Sequence, residues 1–566
     1  MKLLILFVVT SLFLSCQSLN TTQRDISNTI EKPKHIIITI HGLSGNADTF
    51  GFFKDVTEKY LNQINSNYQS EVIHFVYPTG RDESKGTYQF AMGPNGLDTF
   101  INNVYKEKNL NENDKISFVC HSQGGIIAYV WYFSNLIKNA DHFQHLKQVE
   151  NIITLGTPFW GSKIASILTD ERNPDIIPLV KLLAPEDFKM TRREIADLAY
   201  ASDNVYNLRT MAIQMDRNPA IKAKLDQMPV RMMNIIGLLP YDKNELFADH
   251  IESEKTTSTL ARNMINVIYH IYKKSYMGFK NKRIENDIAV PVTSGRWNFI
   301  YSKPLIVRNQ ETIESDDFLD FSQLVNKSKF IFTESSHLPF ETEKTLSMAY
   351  INKNCLDANT CDHPTYRYVL EALANCKEFQ MCQNTKYQQI INTFKYSNLE
   401  EYTNFKAIQK SIQSFAIQIN IKLKKGTIDS WPVKYFKKTN VYPHSEDSNQ
   451  IWALKNYSLI PQMIDIGTNK AGLVRNTEQT QFRIYLGDPN ETKSVDVISR
   501  NFTSPRDYED IRINLTGRVE VLNSQKKSSY VVPIKIKIPD EPEITVKTKI
   551  RPGYSTFFEL DYSQNK

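Results

Sequence analysis

Residues 115–132 limit the possible folds of this chain most, because a short strand, a serine and a helix are predicted to follow one another there. The sequence is KISFVCHSQGGIIAYVWY, in which an apolar run leads into Ser122 and then into two glycines. A serine on a tight turn between a strand and a helix is typical of a nucleophile elbow, whose flanking residues must be small. Gly124 meets that need, and Cys120 stands where a glycine is usual. The pattern predicts Ser122 as a nucleophile; an ordinary strand-to-helix turn is the alternative.

Apolar segments that suit strands alternate with segments that suit helices through the first half of the chain. The strands are predicted at 35–40, 72–77, 116–120, 152–155, 231–236 and 329–333. This alternation predicts an α/β fold with a mostly parallel sheet flanked by helices. We therefore expect a catalytic domain at 35–385.

Residues 163–228 separate two predicted strands and have a largely helical pattern broken by prolines. One helix would suffice to join the two strands, so the segment is an insertion, and long insertions are often functional. We interpret it as a helical cap over the site, with extra scaffold helices as the alternative. Beyond residue 390, alternating segments such as 416–421 and 532–537 predict a second, all-β domain resembling a sandwich at 390–566.

The N-terminus has the pattern of an export signal. Met1 and Lys2 precede a short apolar run that ends in Leu14-Ser15-Cys16. This predicts a signal peptide at 1–15, lipidation of Cys16 and a polar tether at 16–34. We therefore expect an exported protein of the bacterial cell envelope, anchored by lipid to a membrane surface on the periplasmic or outer side.

Composition limits the partners. The chain has 566 residues, 41% of them hydrophobic, and a formal net charge of only +6. Its Lys and Arg residues are scattered, so no basic stripe for nucleic acid is visible and no nucleic-acid partner is predicted. The sequence does not predict the oligomeric state.

Four cysteines lie close together in a short segment, 355–382. They form two pairs with equal spacing: Cys355 with Cys361, and Cys376 with Cys382. An exported chain favours disulfides, although four cysteines allow three connectivities. A zinc site is the alternative, but the spacing is wider than usual for zinc, so no metal is predicted.

Ester hydrolysis by a serine requires a base and an orienting carboxylate, which in α/β-hydrolases follow the serine in the order acid, then histidine. His337 comes directly after the strand at 329–333 and is the preferred base, with His363 as the alternative. Asp287 is the preferred acid, with Asp242 as its rival. No cofactor is needed for this chemistry.

The oxyanion of such a reaction needs two backbone N–H donors. One should come from Gln123, which follows the nucleophile, and the other from Leu43, in the loop after the first strand. Gly42 would let that loop approach closely because it has no Cβ.

Several motifs together resemble bacterial lipases and related esterases of the α/β-hydrolase superfamily. They are HGLSG at 41–45, HSQGG at 121–125, GTPFWGS at 156–162, NDIAVPV at 286–292 and SHL at 336–338. The resemblance covers residues 35 to about 345. It implies a triad of Ser122, Asp287 and His337, an oxyanion hole of Leu43 and Gln123, and an acyl-ester, lipid-like substrate.

Two functions therefore compete at this point. The first is a membrane-tethered carboxylic-ester hydrolase, a lipase or esterase that works through an acyl-enzyme. The second is a non-catalytic surface binding or adhesion lipoprotein that uses the hydrolase fold as a scaffold. All predicted catalytic positions hold competent residue types, which favours the enzyme.

Overall fold

The structure is a computed structural model that describes most of the first half of the chain and parts of the second. The described residues are 32–65, 67–82, 84–138, 143–169, 190–200, 202–239, 285–302, 312–313, 319–320, 328–337, 347–374, 389, 412–424, 435–438, 452–453, 462–465, 483–486, 496–499, 508–518, 530–537 and 544–562. The predicted signal peptide, Cys16 and most of the tether, Asp242, Cys376 and Cys382 lie outside them.

The strands and helices alternate first, and strands dominate afterwards. The strands are β1 (Lys34–Ile40), β2 (Gln69–Phe75), β3 (Lys115–His121), β4 (Val149–Leu155), β5 (Arg231–Gly237), β6 (Phe299–Ser302), β7 (Thr312–Ile313), β8 (Leu319–Asp320), β9 (Ser328–Thr333), β10 (Ser414–Lys424), β11 (Tyr435–Lys438), β12 (Trp452–Ala453), β13 (Gln462–Asp465), β14 (Arg483–Leu486), β15 (Asp496–Ser499), β16 (Tyr508–Arg518), β17 (Tyr530–Lys537), β18 (Ile544–Ile550) and β19 (Ser555–Asp561). The helices are α1 (Phe53–Ile64), α2 (Thr87–Met92), α3 (Leu97–Glu107), α4 (Gln123–Lys138), α5 (Phe143–Gln148), α6 (Lys163–Leu168), α7 (Arg192–Asp197), α8 (Asp203–Arg217), α9 (Pro219–Gln227) and α10 (Tyr366–Leu373).

Six strands form a wholly parallel sheet in the order β2-β1-β3-β4-β5-β9. The central strands β3 and β4 are almost entirely buried, as expected for a parallel sheet with helices on both faces. Helix α4 follows β3 directly and is buried along nearly its whole length. The prediction of a parallel α/β fold is confirmed, and the carboxyl ends of its strands meet at one edge.

The inserted segment between β4 and β5 contains α6, α7, α8 and α9 in its described part. The helix starts follow from local capping: Thr191 and Glu194 form a reciprocal capping box at α7, and Ser202 accepts from the Val205 N–H at α8. Asn218 caps α9 in the same way. The helical pattern of the segment is therefore correct, while its role as a cap stays a prediction.

A second, mixed sheet has the order β12-β16-β10-β19-β6-β8, with β15 paired to β16. Strand β10 pairs antiparallel with β16 but parallel with β19, and β19 pairs parallel with β6. A further sheet has the order β14-β17-β18-β7. Sheets beyond residue 390 agree with the predicted β-rich region.

The second sheet contains strands from both sides of the predicted domain boundary at residue 390. Its strands β6 and β8 come from the segment before His337, and β7 joins the third sheet in the same way. The reason is that the backbone N–H and C=O groups of an edge strand form hydrogen bonds with any strand that lies beside it. The separation of the two strands along the chain does not matter. The hydrolase segment and the β-rich segment thus share sheets.

An aromatic cluster joins the two segments. The Trp160 ring lies 5.1 Å from the Trp297 ring, 4.9 Å from Phe299 and 5.1 Å from Phe557, measured between centroids. Gln418 Nε2 donates to the Trp160 carbonyl at 2.6 Å. The loop at 156–162 is therefore packed against the second sheet on one side.

A disulfide joins Cys355 to Cys361, both of which are fully buried. These are two of the four cysteines predicted to form disulfides. In the described part of the chain, no helix is long and apolar enough to cross a membrane.

Candidate active site

Ser122 lies on the turn between β3 and α4 in a left-handed backbone conformation, with φ of 54°. Its N–H donates to the Leu155 carbonyl at 2.9 Å, and its own carbonyl accepts from the Thr157 hydroxyl at 2.9 Å. A non-glycine residue in this region is strained, and such strain persists only where surrounding contacts hold it. The turn is thus a nucleophile elbow in geometry as well as in sequence.

Close packing explains why the elbow needs small neighbours. A Cβ added at Gly124 would lie 2.4 Å from the Ile40 carbonyl oxygen, and one at Gly42 would lie 2.6 Å from the Ser122 Cβ. Cys120 is fully buried, and burial raises the pKa of its thiol well above the usual value. The thiol therefore stays neutral and acts as a small core residue.

His337 and Asp287 are hydrogen-bonded to each other in both side chain and backbone. The distance from His337 Nδ1 to Asp287 Oδ2 is 3.0 Å, and the His337 N–H donates to the Asp287 carbonyl at 2.9 Å. The other carboxylate oxygen accepts from the N–H groups of Ala289 and Val290, at 3.0 and 2.7 Å. These bonds hold the carboxylate in one orientation, which suits a group that orients a catalytic histidine.

The loop after β4 connects this pair to the elbow. A Cβ added at Gly156, whose φ is +58°, would lie 2.8 Å from both Asp287 Oδ2 and His337 Nδ1. Its neighbour Leu155 accepts the hydrogen bond from Ser122. The turn that carries Ser122 is therefore hydrogen-bonded to the strand end from which this loop leads to the His337–Asp287 pair.

A second histidine, His121, lies beside the pair, and no role for its side chain was predicted from the sequence. Its Nε2 donates to the His337 carbonyl at 3.0 Å, and the two rings lie 4.7 Å apart. Burial, with the His337 charge in addition, lowers the pKa of His121 well below its usual value. A neutral His121 can therefore position the backbone of His337. The available signal was its place directly before Ser122.

The two predicted oxyanion residues flank the serine from different loops. Gln123 begins α4, and its buried side chain accepts from the Tyr77 hydroxyl at 3.1 Å and donates to Thr87 Oγ1 at 3.2 Å. Leu43 follows Gly42, which packs directly on Ser122. Next to it, the Ser44 N–H donates to Thr79 Oγ1 at 3.1 Å.

The alternative base, His363, has a different task. Its Nδ1 accepts from the N–H groups of Thr365 and Tyr366, at 3.3 and 3.1 Å, and so caps the start of α10. Burial lowers the pKa of His363 to about 3, which keeps the ring neutral and able to accept. The structure brings His337, and not His363, to Asp287. Among the described residues, no group of three or more His, Cys, Asp or Glu side chains could hold a metal ion.

One sequence family matches part of the chain. Residues 30–172, which include the elbow, match the sequence family described as "Putative serine esterase (DUF676)". No curated protein sequence matches the chain.

Two solved structures illustrate the structural similarity. The phospholipase PlaB from Legionella pneumophila superposes with a TM-score of 0.51 at 13% identity, and the alignment covers 93% of each chain. The mature lipase BlEst2 from Bacillus licheniformis aligns with 48% of this chain and 80% of its own, at 17% identity and a TM-score of 0.26. The first of these similarities shows a common fold over nearly the whole length. The chain thus contains a domain with the α/β-hydrolase fold.

Proposed function

We propose that this protein is a serine hydrolase of acyl esters, with Ser122 as nucleophile, His337 as base and Asp287 as the orienting carboxylate. The observation that carries the proposal is the 3.0 Å hydrogen bond between His337 and Asp287 beside the strained Ser122 elbow. The match of residues 30–172 to a serine esterase family supports the reaction class independently.

In the first half of the reaction, Ser122 Oγ attacks the ester carbonyl carbon while His337 Nε2 takes the hydroxyl proton. Asp287 stabilises the imidazolium that forms. The N–H groups of Leu43 and Gln123 donate to the oxyanion, and each such donor contributes about 3 kcal/mol. The carbon–oxygen bond to the alcohol then breaks, and the alcohol leaves with the proton from His337.

The second half repeats these steps with water. His337 takes a proton from a water molecule, whose oxygen attacks the acyl carbon bound to Ser122. When this intermediate collapses, the bond to Ser122 Oγ breaks and the oxygen regains its proton from His337. The carboxylic acid leaves, and the enzyme returns to its starting state.

The proposed substrate is an acyl ester of lipid type. The protein that superposes over nearly the whole chain is named a phospholipase, so phospholipids are the first natural class to test. We further propose that residues 163–228 form a cap over the acyl chain, since their helices α6–α9 lie between two strands of the catalytic sheet.

The first experiment measures hydrolysis of p-nitrophenyl esters of graded chain length, and of phosphatidylcholine vesicles, by the purified protein and by Ser122→Ala. We expect the variant to lose activity and labelling by a fluorophosphonate probe. Ser134→Ala is the matched control, because Ser134 is a buried serine in helix α4, which begins directly after Ser122. If the wild type neither turns over any ester nor reacts with the probe, the non-catalytic binding protein becomes the better explanation.

We also propose export through a signal peptide at 1–15 and a lipid anchor on Cys16 at the cell envelope. The apolar run before Leu14-Ser15-Cys16 supports this proposal. Metabolic labelling with palmitate should mark the wild type in the membrane fraction, while Cys16→Ser should carry no label. Equal labelling of both proteins would exclude Cys16 as the anchor.

A further inference from the structure

Asp197 is a buried carboxylate at the end of helix α7, in the inserted segment, and no step of the proposed reaction uses it. It is only 5% exposed. Its ion-pair partner Arg193 lies 3.5 Å away and is half exposed, so solvent weakens this pair. Burial raises the pKa of Asp197, although Arg193 and two donors on Thr87 act in the opposite direction. A carboxylate in such a costly position needs hydrogen-bond donors that stabilise it.

Thr87, the first residue of α2, supplies these donors. Its N–H donates to Asp197 Oδ2 at 2.7 Å, and its hydroxyl also hydrogen-bonds to the carboxylate. This close approach depends on Gly86, because a Cβ at that position would collide with Asp197 Oδ2. Asp197 therefore holds the start of α2 although the two residues are 110 positions apart in the sequence.

The same hydroxyl connects Asp197 to Gln123, the residue after the proposed nucleophile. Gln123 is fully buried, and its Nε2 donates to Thr87 Oγ1 at 3.2 Å. An amide NH₂ group can only donate, so Thr87 Oγ1 accepts from it, and the hydroxyl hydrogen stays available for the carboxylate. A directed chain of hydrogen bonds thus runs from Gln123 through Thr87 to Asp197.

The other end of the Gln123 carboxamide is held as well. The Tyr77 hydroxyl lies 3.1 Å from Gln123 Oε1 and 3.2 Å from the carbonyl oxygen of His41. The rings of Tyr77 and His41 stack with their centroids 4.2 Å apart. His41 begins the loop that carries Leu43, so the Gln123 side chain is fixed between the oxyanion loop and the inserted segment.

We propose that Asp197 is a positioning residue for the oxyanion hole, which acts on Gln123 through the hydroxyl of Thr87. The inference rests on the proposed function, in which the Gln123 N–H donates to the oxyanion. Such a donor must lie about 2.7–3.1 Å from the oxyanion, so a small displacement of Gln123 weakens it. The inserted segment then contributes to the geometry of catalysis, beyond its proposed role as a cap.

Asp197→Asn and Thr87→Val test this chain of hydrogen bonds. The first removes the charge, and the second removes the hydroxyl but keeps the shape. We expect kcat for p-nitrophenyl esters to fall about 10-fold in each, with KM changed less than about 2-fold, because the donor is displaced and not lost. Thr87→Ser keeps the hydroxyl and should retain the wild-type kcat. Asp216→Asn is the matched control, since this carboxylate pairs with Arg217 and Lys222 within the insertion.

Two further readouts separate positioning from a loss of stability. The double variant Asp197→Asn/Thr87→Val should lose no more than the larger single loss, because both changes break one chain. The inhibition constant of a trifluoromethyl ketone, whose adduct with Ser122 carries an oxyanion, should also rise about 10-fold. The unfolding midpoint is recorded for every variant, and the Thr87 pair decides if Asp197→Asn does not fold. Additive losses, an unchanged inhibition constant, or equal kcat in Thr87→Ser and Thr87→Val would overturn the proposal.

Ser122→Ala distinguishes a failure of this inference from a failure of the proposed function. Loss of turnover in Ser122→Ala with wild-type kinetics in Asp197→Asn overturns the inference alone, whereas an active Ser122→Ala overturns the function. Hydrogen exchange followed by mass spectrometry tests the hydrogen-bond chain without catalysis. Asp197→Asn should speed exchange in peptides that contain Thr87 and in those that contain Gln123. A change confined to the Thr87 peptides would overturn the proposal.

Discussion

The Glu194 carboxylate accepts hydrogen bonds from the backbone N–H of Gly80, at 2.9 and 3.1 Å from its two oxygens. The same carboxylate completes the capping box of α7 by accepting from Thr191 at 2.9 Å. The neighbour of Gly80, Thr79, accepts the hydrogen bond from Ser44 beside the proposed oxyanion donor Leu43. A helix of the inserted segment is therefore linked through two loops to the edge of the sheet where the proposed catalytic residues lie.

This link predicts that Glu194→Gln lowers ester turnover without unfolding the protein. An amide keeps the size of the carboxylate but offers only one acceptor oxygen, so the loop at 79–80 loses part of its support. We expect kcat/KM to fall about 10-fold, which corresponds to ~1.4 kcal/mol. Thr79→Val should act in the same direction, because it removes the acceptor for Ser44. Unchanged kinetics in both variants would show that the link does not position the oxyanion loop.

Asp287→Asn tests the proposed acid. The amide cannot stabilise a protonated His337, and removal of this charge from a serine triad costs about 10⁴-fold in kcat in the best-studied template. We expect a loss of 10³- to 10⁴-fold in p-nitrophenyl ester hydrolysis. The unfolding midpoint is measured in parallel, since Asp287 also accepts from Ala289 and Val290. Asp242→Asn is the matched variant; if it loses activity instead, the acid is Asp242.

Gly42→Ala should damage catalysis more than stability. The added Cβ would lie 2.6 Å from the Ser122 Cβ, so the loop that carries Leu43 must move away from the serine. Loss of one oxyanion donor typically lowers kcat by 10²- to 10³-fold, and we expect a loss of about 10²-fold. Gly295→Ala is the control, because the atoms nearest to its Cβ would belong to the Ile236 side chain, at 3.0 Å and beyond. Activity equal to the wild type would place the oxyanion hole elsewhere.

The lowered pKa of His363 predicts that the protein loses stability in acid. Unfolded histidine has a pKa near 6.5, whereas burial holds the pKa of His363 at about 3 in the folded protein. The unfolded chain therefore binds the proton first. The contribution of His363 to the free energy of unfolding falls as pH drops from 6.5 towards 3. At pH 3 the free energy of unfolding is lower by about 3–5 kcal/mol for this reason.

The measurement for His363 is urea unfolding across this pH range, for the wild type and for His363→Asn. Asparagine can still accept from the first N–H groups of α10 but carries no titrating ring. The variant should show a shallower decline of the unfolding free energy with falling pH. Parallel curves would mean that His363 titrates alike in both states.

The disulfide between Cys355 and Cys361 should contribute modestly to stability. It closes a short loop with a sequence separation of 6, for which the chain-entropy relation gives about 2 kcal/mol. The double variant Cys355→Ser/Cys361→Ser should therefore unfold at a lower urea concentration than the oxidised wild type. The reduced wild type provides the comparison without substitution, and it should match the double variant.

Much of the candidate site was predictable because its signals are local. A strand followed at once by Ser122 and small residues identifies the elbow, since only such residues fit where β3 turns into α4. His337 was predictable for a similar reason: it comes directly after β9, and the ends of parallel strands meet at one edge.

The remaining features depend on residues that are far apart in the sequence. No local pattern pairs β6 with β19, or brings Glu194 to Gly80 and Glu559 to Arg209. Pattern alone also left Asp287 and Asp242 as rivals, and the contact with His337 depends on the loop after β5. The sequence by itself determined the strands of the parallel sheet and the turn at Ser122, because periodicity and turn chemistry act between neighbours. Only the tertiary structure decided which distant carboxylates, rings and backbone edges meet, because burial and hydrogen bonding act across space.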